Sequence, residues 1–207
     1  MPVNLVSAGG GTTTLSPASS ASNYTITLPS ATTTMVGTDA TQTLTNKTIN
    51  GGALQAATAQ TASGTAIDFT GIPSWVKRIT VMMAGVTKSA GTSSTIIRLG
   101  TSGGFVSSGY LAAGIYTGPS TGSATQTAGF PFGAGYGAGD VLNGNAFITN
   151  VTGNTWVWSS TIGQSNNAYV IVSGGYIALS GALTQLRLTN VTGTDTYGGG
   201  TINILYE

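Results

Sequence analysis

The chain has 207 residues, of which 40% are hydrophobic and only 5% are charged, and its formal net charge is +1. This length fits one ordinary domain plus an extended segment, or two small domains. It has no histidine and no cysteine, which removes the usual general base, the imidazole and thiolate metal ligands and any disulfide framework. Its six cations are scattered, whereas nucleic-acid binding needs a basic stripe, so we expect no nucleic-acid partner.

Threonine is the commonest residue, and 32 glycines accompany it. Threonine favours strands and glycine favours turns and bulges, while helix formers never accumulate in a periodic window. These features predict an all-β protein. The start of the chain lacks the basic and apolar regions of a signal peptide, and no stretch approaches the roughly 20 apolar residues of a membrane helix. We therefore expect no membrane insertion.

Residues 1–61 predict an extended segment that has no core of its own. Tracts of Ser, Thr and Gly surround short alternations such as "YTITL" (24–28). Alternation places Tyr24, Ile26 and Leu28 on one face of a strand, and copies from neighbouring chains or another surface must cover so narrow a stripe. The residues predicted to attach the segment to neighbouring chains or to another surface are Tyr24, Ile26, Leu28, Leu44 and Ile49.

Residues 62–207 predict a separate β-domain. Its strand candidates are 65–70, 76–87, 93–100, 145–151, 154–161, 168–179, 183–191 and 200–206. Clusters of Gly, Pro and Ser separate them. Eight or so short strands at this spacing predict an antiparallel, jelly-roll-like β-sandwich.

A repeated phrase predicts two hairpin turns. "ITNVTGNTW" (148–156) and "LTNVTGTDTY" (188–197) place Gly153 and Gly193 where a strand should reverse, although chance similarity is the alternative in a chain this rich in Thr and Gly. Apolar alternation along the strands also predicts a set of buried residues, which comprises Val81, Ile96, Leu99, Ile148, Val170, Leu188, Ile202 and Leu205.

No catalytic set emerges from the sequence. "GAGYGAG" (133–139) fits a dinucleotide pattern on paper, but the "DVLNGNAF" that follows is no helix start. A glycosidase needs two flanking carboxylates, and the five available give no obvious pair: Asp39, Asp68, Asp140, Asp195 and Glu207. A Ser or Thr nucleophile would lack a histidine base. We therefore predict no enzyme activity, no cofactor and no metal.

Aromatic residues mark two places in the domain. Trp156 and Trp158 share one face of a strand, with Val157 on the other. A further group crowds the loop-rich segment 102–140, where rings could stack on sugars; these candidate receptor residues are Tyr110, Tyr116, Phe130 and Tyr136. Packing in the core or at a subunit interface is the alternative, and the favoured one.

Four stretches resemble proteins of tailed-bacteriophage virions. "TQTLTNKTI" (41–49) is similar to a Thr-Leu-Thr-Asn-Lys-Thr-Ile/Leu run that forms part of the slender shaft or linker of phage fibres. "GGGTTTLSPASSASNYTITLPS" (9–30) looks like another virion segment that often precedes it. "IDFTGIPSWVKRITVMMAGV" (67–86) and "GTDTYGGGTINILYE" (193–207) look like the globular C-terminal module of similar proteins.

The resemblance implies a non-enzymatic virion-surface protein. Such fibres are typically homotrimers whose N-terminal part sits on the tail or capsid, among other virion proteins, and whose C-terminal domain points outward toward host-surface polysaccharide. Receptor-binding fibres are commonly much longer, so a short tail fibre, a short head fibre, a fibre tip and a capsid decoration or cement protein all stay open. The alternatives outside the virion class are a free carbohydrate-binding module and a depolymerase.

Overall fold

The structure, a computed structural model, describes residues 3–6, 8–15, 54–132 and 137–207. Every regular element in these ranges is a β-strand, and both main sheets are antiparallel throughout. The predicted all-β class is therefore confirmed. No helix capable of crossing a membrane is found among the described residues. Contacts along the chain divide it into an N-terminal unit, Met1–Lys47, and a C-terminal unit, Thr48–Glu207.

The N-terminal unit is described only at its start. Strands β1 (Val3–Val6) and β2 (Thr12–Leu15) form an antiparallel hairpin in which Val3 lies opposite Leu15. The residues predicted for trimer and virion attachment lie outside the described residues, and their role stays a prediction: Tyr24, Ile26, Leu28, Leu44 and Ile49.

The C-terminal unit contains the other strands. They are β3 (Gln55–Ala56), β4 (Gln60–Thr61), β5 (Ile67–Thr70), β6 (Arg78–Ala90), β7 (Thr95–Thr101), β8 (Gly104–Phe105), β9 (Leu111–Thr117), β10 (Thr121–Gln126), β11 (Phe130–Pro131), β12 (Val141–Thr152), β13 (Thr155–Gln164), β14 (Tyr169–Ala178), β15 (Gln185–Asn190) and β16 (Thr196–Tyr206). All eight strands predicted from the sequence are present, as β5, β6, β7 and β12 to β16. The hairpin of β9 and β10 was missed.

Nine strands form the large sheet, in the order β10-β9-β14-β13-β12-β6-β16-β3, with β4 also paired to β16. Strands β12, β13 and β14 run as consecutive hairpins. The first hairpin turns at Gly153, whose φ of 50° is a conformation that glycine adopts without steric cost. The first of the two predicted turns is therefore confirmed.

The turn at Gly193 does not make a hairpin. Strand β15, which precedes it, pairs with β5 and β7 in the small sheet, whereas β16, which follows it, pairs with β6 in the large sheet. The chain thus crosses between sheets there. The repeated phrase specifies a tight turn in both copies, but strand pairing depends on partners distant in sequence.

The small sheet has five strands, in the order β11-β7-β15-β5, with β8 paired to β7. Inward side chains of both sheets belong to one hydrophobic core. Phe130 of β11 stacks on Trp158 of β13, with ring centroids 5.3 Å apart and ring planes 4° from parallel. Two antiparallel sheets that share one core are consistent with a β-sandwich.

Six of the eight residues predicted to be buried are buried, and two are not. Val170 is 46% exposed, and its neighbour Ile171 is buried instead. Leu205 is half-buried, and Ile204 takes the inward position. In "YVIV" (169–172) both alternating sets are apolar, so alternation alone does not determine which set faces inward.

The predicted boundary between residues 61 and 62 lies inside the large sheet. Ala56 is paired with Leu205, and Gln60 is paired with Ile202. The Ala62 amide donates a 2.9 Å hydrogen bond to the Gly200 carbonyl oxygen. Residues 55–61 therefore cover one edge of the large sheet.

Candidate functional site: a neutral face of the large sheet

One acidic side chain, Asp68, lies at a surface groove. It accepts two hydrogen bonds of 2.7 Å from Arg187, which lies opposite it in the small sheet. The hydrogen bond with Asp68 raises the pKa of Arg187 against the opposing effect of burial. The guanidinium carbon also lies 4.1 Å from the centre of the Phe105 ring. Asp68 is therefore engaged in a strand-to-strand ion pair.

The other carboxylates discussed from the sequence are engaged with partners where the structure describes them. Asp140 accepts hydrogen bonds of 2.7 Å from the Gly137 amide and from Asn167. Glu207 pairs with Arg78, and Asp39 lies outside the described residues. Of two surface grooves in the described part of the chain, one is lined by a single carboxylate and the other by none. No group of acidic residues in the described ranges would hold a metal ion.

A buried ion pair joins β6 to the start of β16. The Nζ of Lys88 lies 2.7 Å from Oδ2 of Asp195, and both residues are less than 8% exposed. That same oxygen accepts a 2.7 Å hydrogen bond from the Ser93 amide. Burial acts to raise the pKa of Asp195, but the hydrogen bonds from Lys88 and Ser93 outweigh it and hold the pKa below its ordinary value. All of these partners lie within the chain, so the pair holds the turns together.

Two of the proposed receptor aromatics are core residues. Tyr110 and Phe130 are completely buried, with ring centroids 5.0 Å apart in an edge-on contact. The Tyr110 hydroxyl accepts a 2.7 Å hydrogen bond from the Leu99 amide and donates one of 3.2 Å to the Val106 carbonyl oxygen. Burial raises the pKa of Tyr110 to about 12. Neither ring is available to a sugar in this conformation, so packing is the correct interpretation for both.

The third proposed receptor aromatic, Tyr116, is less buried than Tyr110 and Phe130. Tyr116 is half-buried and meets Tyr169 edge-on, with ring centroids 5.5 Å apart. A side chain at Gly122 would collide with the Tyr116 ring, since an added Cβ would lie 2.4 Å from its hydroxyl. Tyr136 lies outside the described residues. The structure therefore brings Tyr110 and Phe130 together and leaves Tyr116 at a separate strand end.

The two tryptophans are on one face of β13, as the alternation predicts. Trp156 and Trp158 are buried, whereas Val157 between them is 39% exposed. Trp158 donates a 2.6 Å hydrogen bond to Ser173, whose hydroxyl donates to the Pro131 carbonyl oxygen at 2.6 Å. These bonds satisfy polar atoms that burial would otherwise leave unpaired.

The opposite side of these strands is a continuous uncharged surface, called here the neutral face. Its exposed apolar side chains are Leu111 and Ile115 of β9, Val170, Val172 and Tyr176 of β14, Val157 of β13 and Phe147 of β12. Small and hydroxyl-bearing residues alternate with them across the surface: Ala113, Gly174, Ser159, Thr161, Thr149 and Asn145. No residue of these four strands is charged.

Strand register joins these side chains into rows. Ile115 lies opposite Val172, which lies opposite Thr161 on the next strand. Leu111 lies in the same way opposite Tyr176. Directly opposite side chains in an antiparallel pair are about 5 Å apart at Cβ. These opposed apolar side chains therefore lie side by side on the face.

A shallow groove crosses part of the neutral face. It has a volume of about 460 Å³ and is lined by Phe147, Thr161 and Val172, with Asn145 among its polar groups. The border of the face lies at β6, where Arg78 is opposite Thr149. Apolar and hydroxyl groups without charge suit a neutral partner better than a charged one.

Sequence reasoning missed the neutral face, although one signal was available. Strand β14 carries apolar residues at 170, 171 and 172, which is typical of a strand that is covered on both faces. Strand β9, "LAAGIYT", carries little strand propensity and is identified by its pairing with β10 and β14. Three strands of the face are consecutive hairpins, but β9 joins them from a distant part of the chain, and the sequence does not show that β9 and β14 are neighbours.

No family model, curated protein or solved structure matches this chain.

Proposed function

We propose that the chain is a non-enzymatic structural protein of a bacteriophage virion, a short trimeric fibre of the tail or head. The observation that carries this proposal is the neutral face, a broad exposed surface that combines apolar side chains with a complete lack of charge. Exposed apolar patches of this kind mark interaction sites. The fibre-like shaft motif at 41–49 supplies the virion context.

The proposal assigns a role to each unit of the chain. The N-terminal unit, Met1–Lys47, attaches to the particle and contributes the stripe of Tyr24, Ile26 and Leu28 to a shared three-fold core. The C-terminal unit forms the outward module, with a jelly-roll-like sandwich in each subunit. The ion pairs and hydrogen bonds of the described carboxylates favour a structural role over a catalytic one.

The test has two arms. Light scattering of the purified full chain at micromolar concentration should give the mass of a trimer. Antibodies against the C-terminal unit should label purified phage particles at the tail or at the head, and copy number separates a fibre from a capsid-decorating protein. A stable monomer contradicts the trimer, and particles that lack the chain contradict the virion role.

Host contact, if the protein makes it, would involve Tyr116 and Tyr136 of the 102–140 segment, because Tyr110 and Phe130 are enclosed in the core. Individual sugar contacts are weak, and many copies would supply avidity. We expect particles with both Tyr116→Ala and Tyr136→Ala to adsorb more weakly to host cells. Unchanged adsorption favours the capsid decoration protein.

A free carbohydrate-binding module is the second candidate. The observation that favours it is the groove, where Phe147 lies beside Asn145 and hydroxyl groups. Aliphatic side chains outnumber aromatic ones on the surrounding face, which favours a protein partner instead. Binding of the purified chain to a neutral glycan array, lost in Phe147→Ala, would support the second candidate.

A further inference from the structure

We propose that the neutral face is the surface through which copies of this chain bind one another. This inference rests on the proposed function, since it assigns the self-association of the fibre to a particular surface of the C-terminal unit. The occupant of the face is therefore a second copy of the chain, and in a trimer each face meets two others around the axis.

Charge is the first reason for a second copy. When identical surfaces meet near a symmetry axis, each charged group approaches its own equivalent, and like charges brought together cost free energy. The strands β9, β12, β13 and β14 carry no charged residue. Arg78 of β6 lies opposite Thr149, at the border of the face. The neutral face can therefore meet itself without repulsion.

The chemistry of the side chains is the second reason. Leu111, Ile115 and Val172 are 46–58% exposed and lie on the neighbouring strands β9 and β14. Homomeric interfaces are more apolar in their core than the rest of a protein surface, and charged residues are depleted there. Nucleic acid would require cations on the face, and a charged ligand would require a counter-charge. The face has neither.

Size is the third reason. Five adjacent strands spaced about 4.8 Å apart, with seven residues that each rise about 3.3 Å, give a flat area on the order of 550 Å². The fifth strand is β10, which extends the surface with Thr121, Ser123 and Thr125. A standard interface buries about 800 Å² of accessible surface on each partner. Side-chain relief adds to the flat area, so the neutral face together with β10 approaches the area of a standard interface.

A double glutamate variant tests the proposal in the full chain. Val172 and Ile115 are directly opposite each other and about half exposed, so glutamate at both positions remains solvated in an isolated subunit. We expect Val172→Glu/Ile115→Glu to reduce the mass measured by light scattering to that of a monomer, with an association constant at least about 100-fold weaker. The far-ultraviolet circular dichroism spectrum should not change.

Leu54→Glu is the matched control. Leu54 is 59% exposed and precedes β3, at the other end of the strand order from β9 and β14. This variant introduces one glutamate at an exposed apolar site outside the neutral face and should keep the mass of the wild type.

A second measurement does not depend on the charged variants. The chain has no cysteine, so Val172→Cys introduces a single thiol on the face. We expect oxidation or a short bis-maleimide to give covalent dimers at micromolar concentration, whereas Leu54→Cys should stay uncrosslinked.

The outcomes separate this inference from the proposed trimer. A wild-type trimer that persists in the double glutamate variant and gives no Val172→Cys crosslink overturns the neutral-face inference and leaves the trimer intact. A wild-type dimer that the glutamates dissociate supports the face and contradicts the trimer. A wild-type monomer at all concentrations overturns both.

Discussion

At the scale of single residues, the Lys88–Asp195 pair depends on a glycine. Gly91 has a φ of +89°, and a Cβ at that position would lie 2.0 Å from Cγ of Asp195. A side chain therefore cannot enter without displacing the carboxylate from Lys88. Glycine is required there both for its backbone conformation and for the space it leaves.

Gly91→Ala should destabilise the protein more than Gly109→Ala. Gly109 has a similar φ of +83° but nothing within 4 Å of an added Cβ, so its substitution costs only the left-handed strain of about 1–2 kcal/mol. Gly91→Ala adds the displacement of a buried ion pair. Urea unfolding of the two variants measures the difference, and equal losses would mean that the carboxylate relaxes freely.

Asp195→Asn should also destabilise the protein, because it leaves the Lys88 ammonium buried without its counter-charge. We expect a loss of about 3 kcal/mol at neutral pH, the low end for breaking a buried pair, since exposed turn residues surround this one. Lys88→Met combined with Asp195→Asn is the matched control and should recover part of the loss. A double variant as unstable as the single one would contradict the role of charge.

The same carboxylate predicts a pH dependence. Its folded-state pKa lies below the ordinary value of 3.8, so the stability it contributes is fully present above about pH 4 and falls as the pH drops through 3.8 toward the folded-state pKa. The difference in unfolding free energy between the wild type and Asp195→Asn should therefore shrink below about pH 4. Guanidinium unfolding at neutral pH and near pH 3 measures it, and a constant difference would contradict the lowered pKa.

At the scale of elements, strand content was predictable and strand neighbours were not. Val, Ile and Thr runs bounded by glycine clusters marked all eight predicted strands. The β9–β10 hairpin was missed because "LAAGIYTGPSTGSATQ" (111–126) consists mainly of small residues. In the structure β9 pairs with β14, and β10 pairs with β9. The sequence around Tyr110 and Phe130 does not show whether their rings are exposed or buried, because the segment is glycine-rich in either case.

The register of β16 predicts which of two neighbouring side chains contributes more to stability. Ile204 is 1% exposed and faces the core, whereas Leu205 is half-buried on the other face. Ile204→Ala should cost about 2–5 kcal/mol, as truncation of a fully buried side chain does, and Leu205→Ala should cost clearly less. Chemical denaturation of both variants measures the order, and the reverse order would shift the register by one residue.

At the scale of the whole molecule, the low charge of the chain determines what kind of surface the large sheet presents. A chain with 5% charged residues cannot cover its surface with ions, so threonine and serine hydroxyls provide most of its polar surface. The composition indicated that surface from the start. It did not indicate that one broad region, the neutral face, would lack charge altogether, because that region forms only when β9 pairs with β14 at the side of the β12–β13–β14 hairpins.

The extent of the C-terminal unit gives the last prediction. Residues 48–207 should fold with the full stability of that unit, whereas 62–207 should be less stable, because it lacks β3 and β4. Their loss removes backbone hydrogen bonds such as the 3.0 Å bond from the Ala57 amide to the Ile204 carbonyl oxygen, each worth about 0.5–1.5 kcal/mol.

Removal of these strands also leaves the edge of β16 open to pairing with other chains. We expect the shorter fragment to melt at least about 5 °C lower, since 1 kcal/mol moves the midpoint by about 2–4 °C at this size, and to aggregate on standing. Differential scanning calorimetry of both fragments measures the effect. Equal melting temperatures would place the true boundary at residue 62, and the strands before it would then be a minor addition to the sheet.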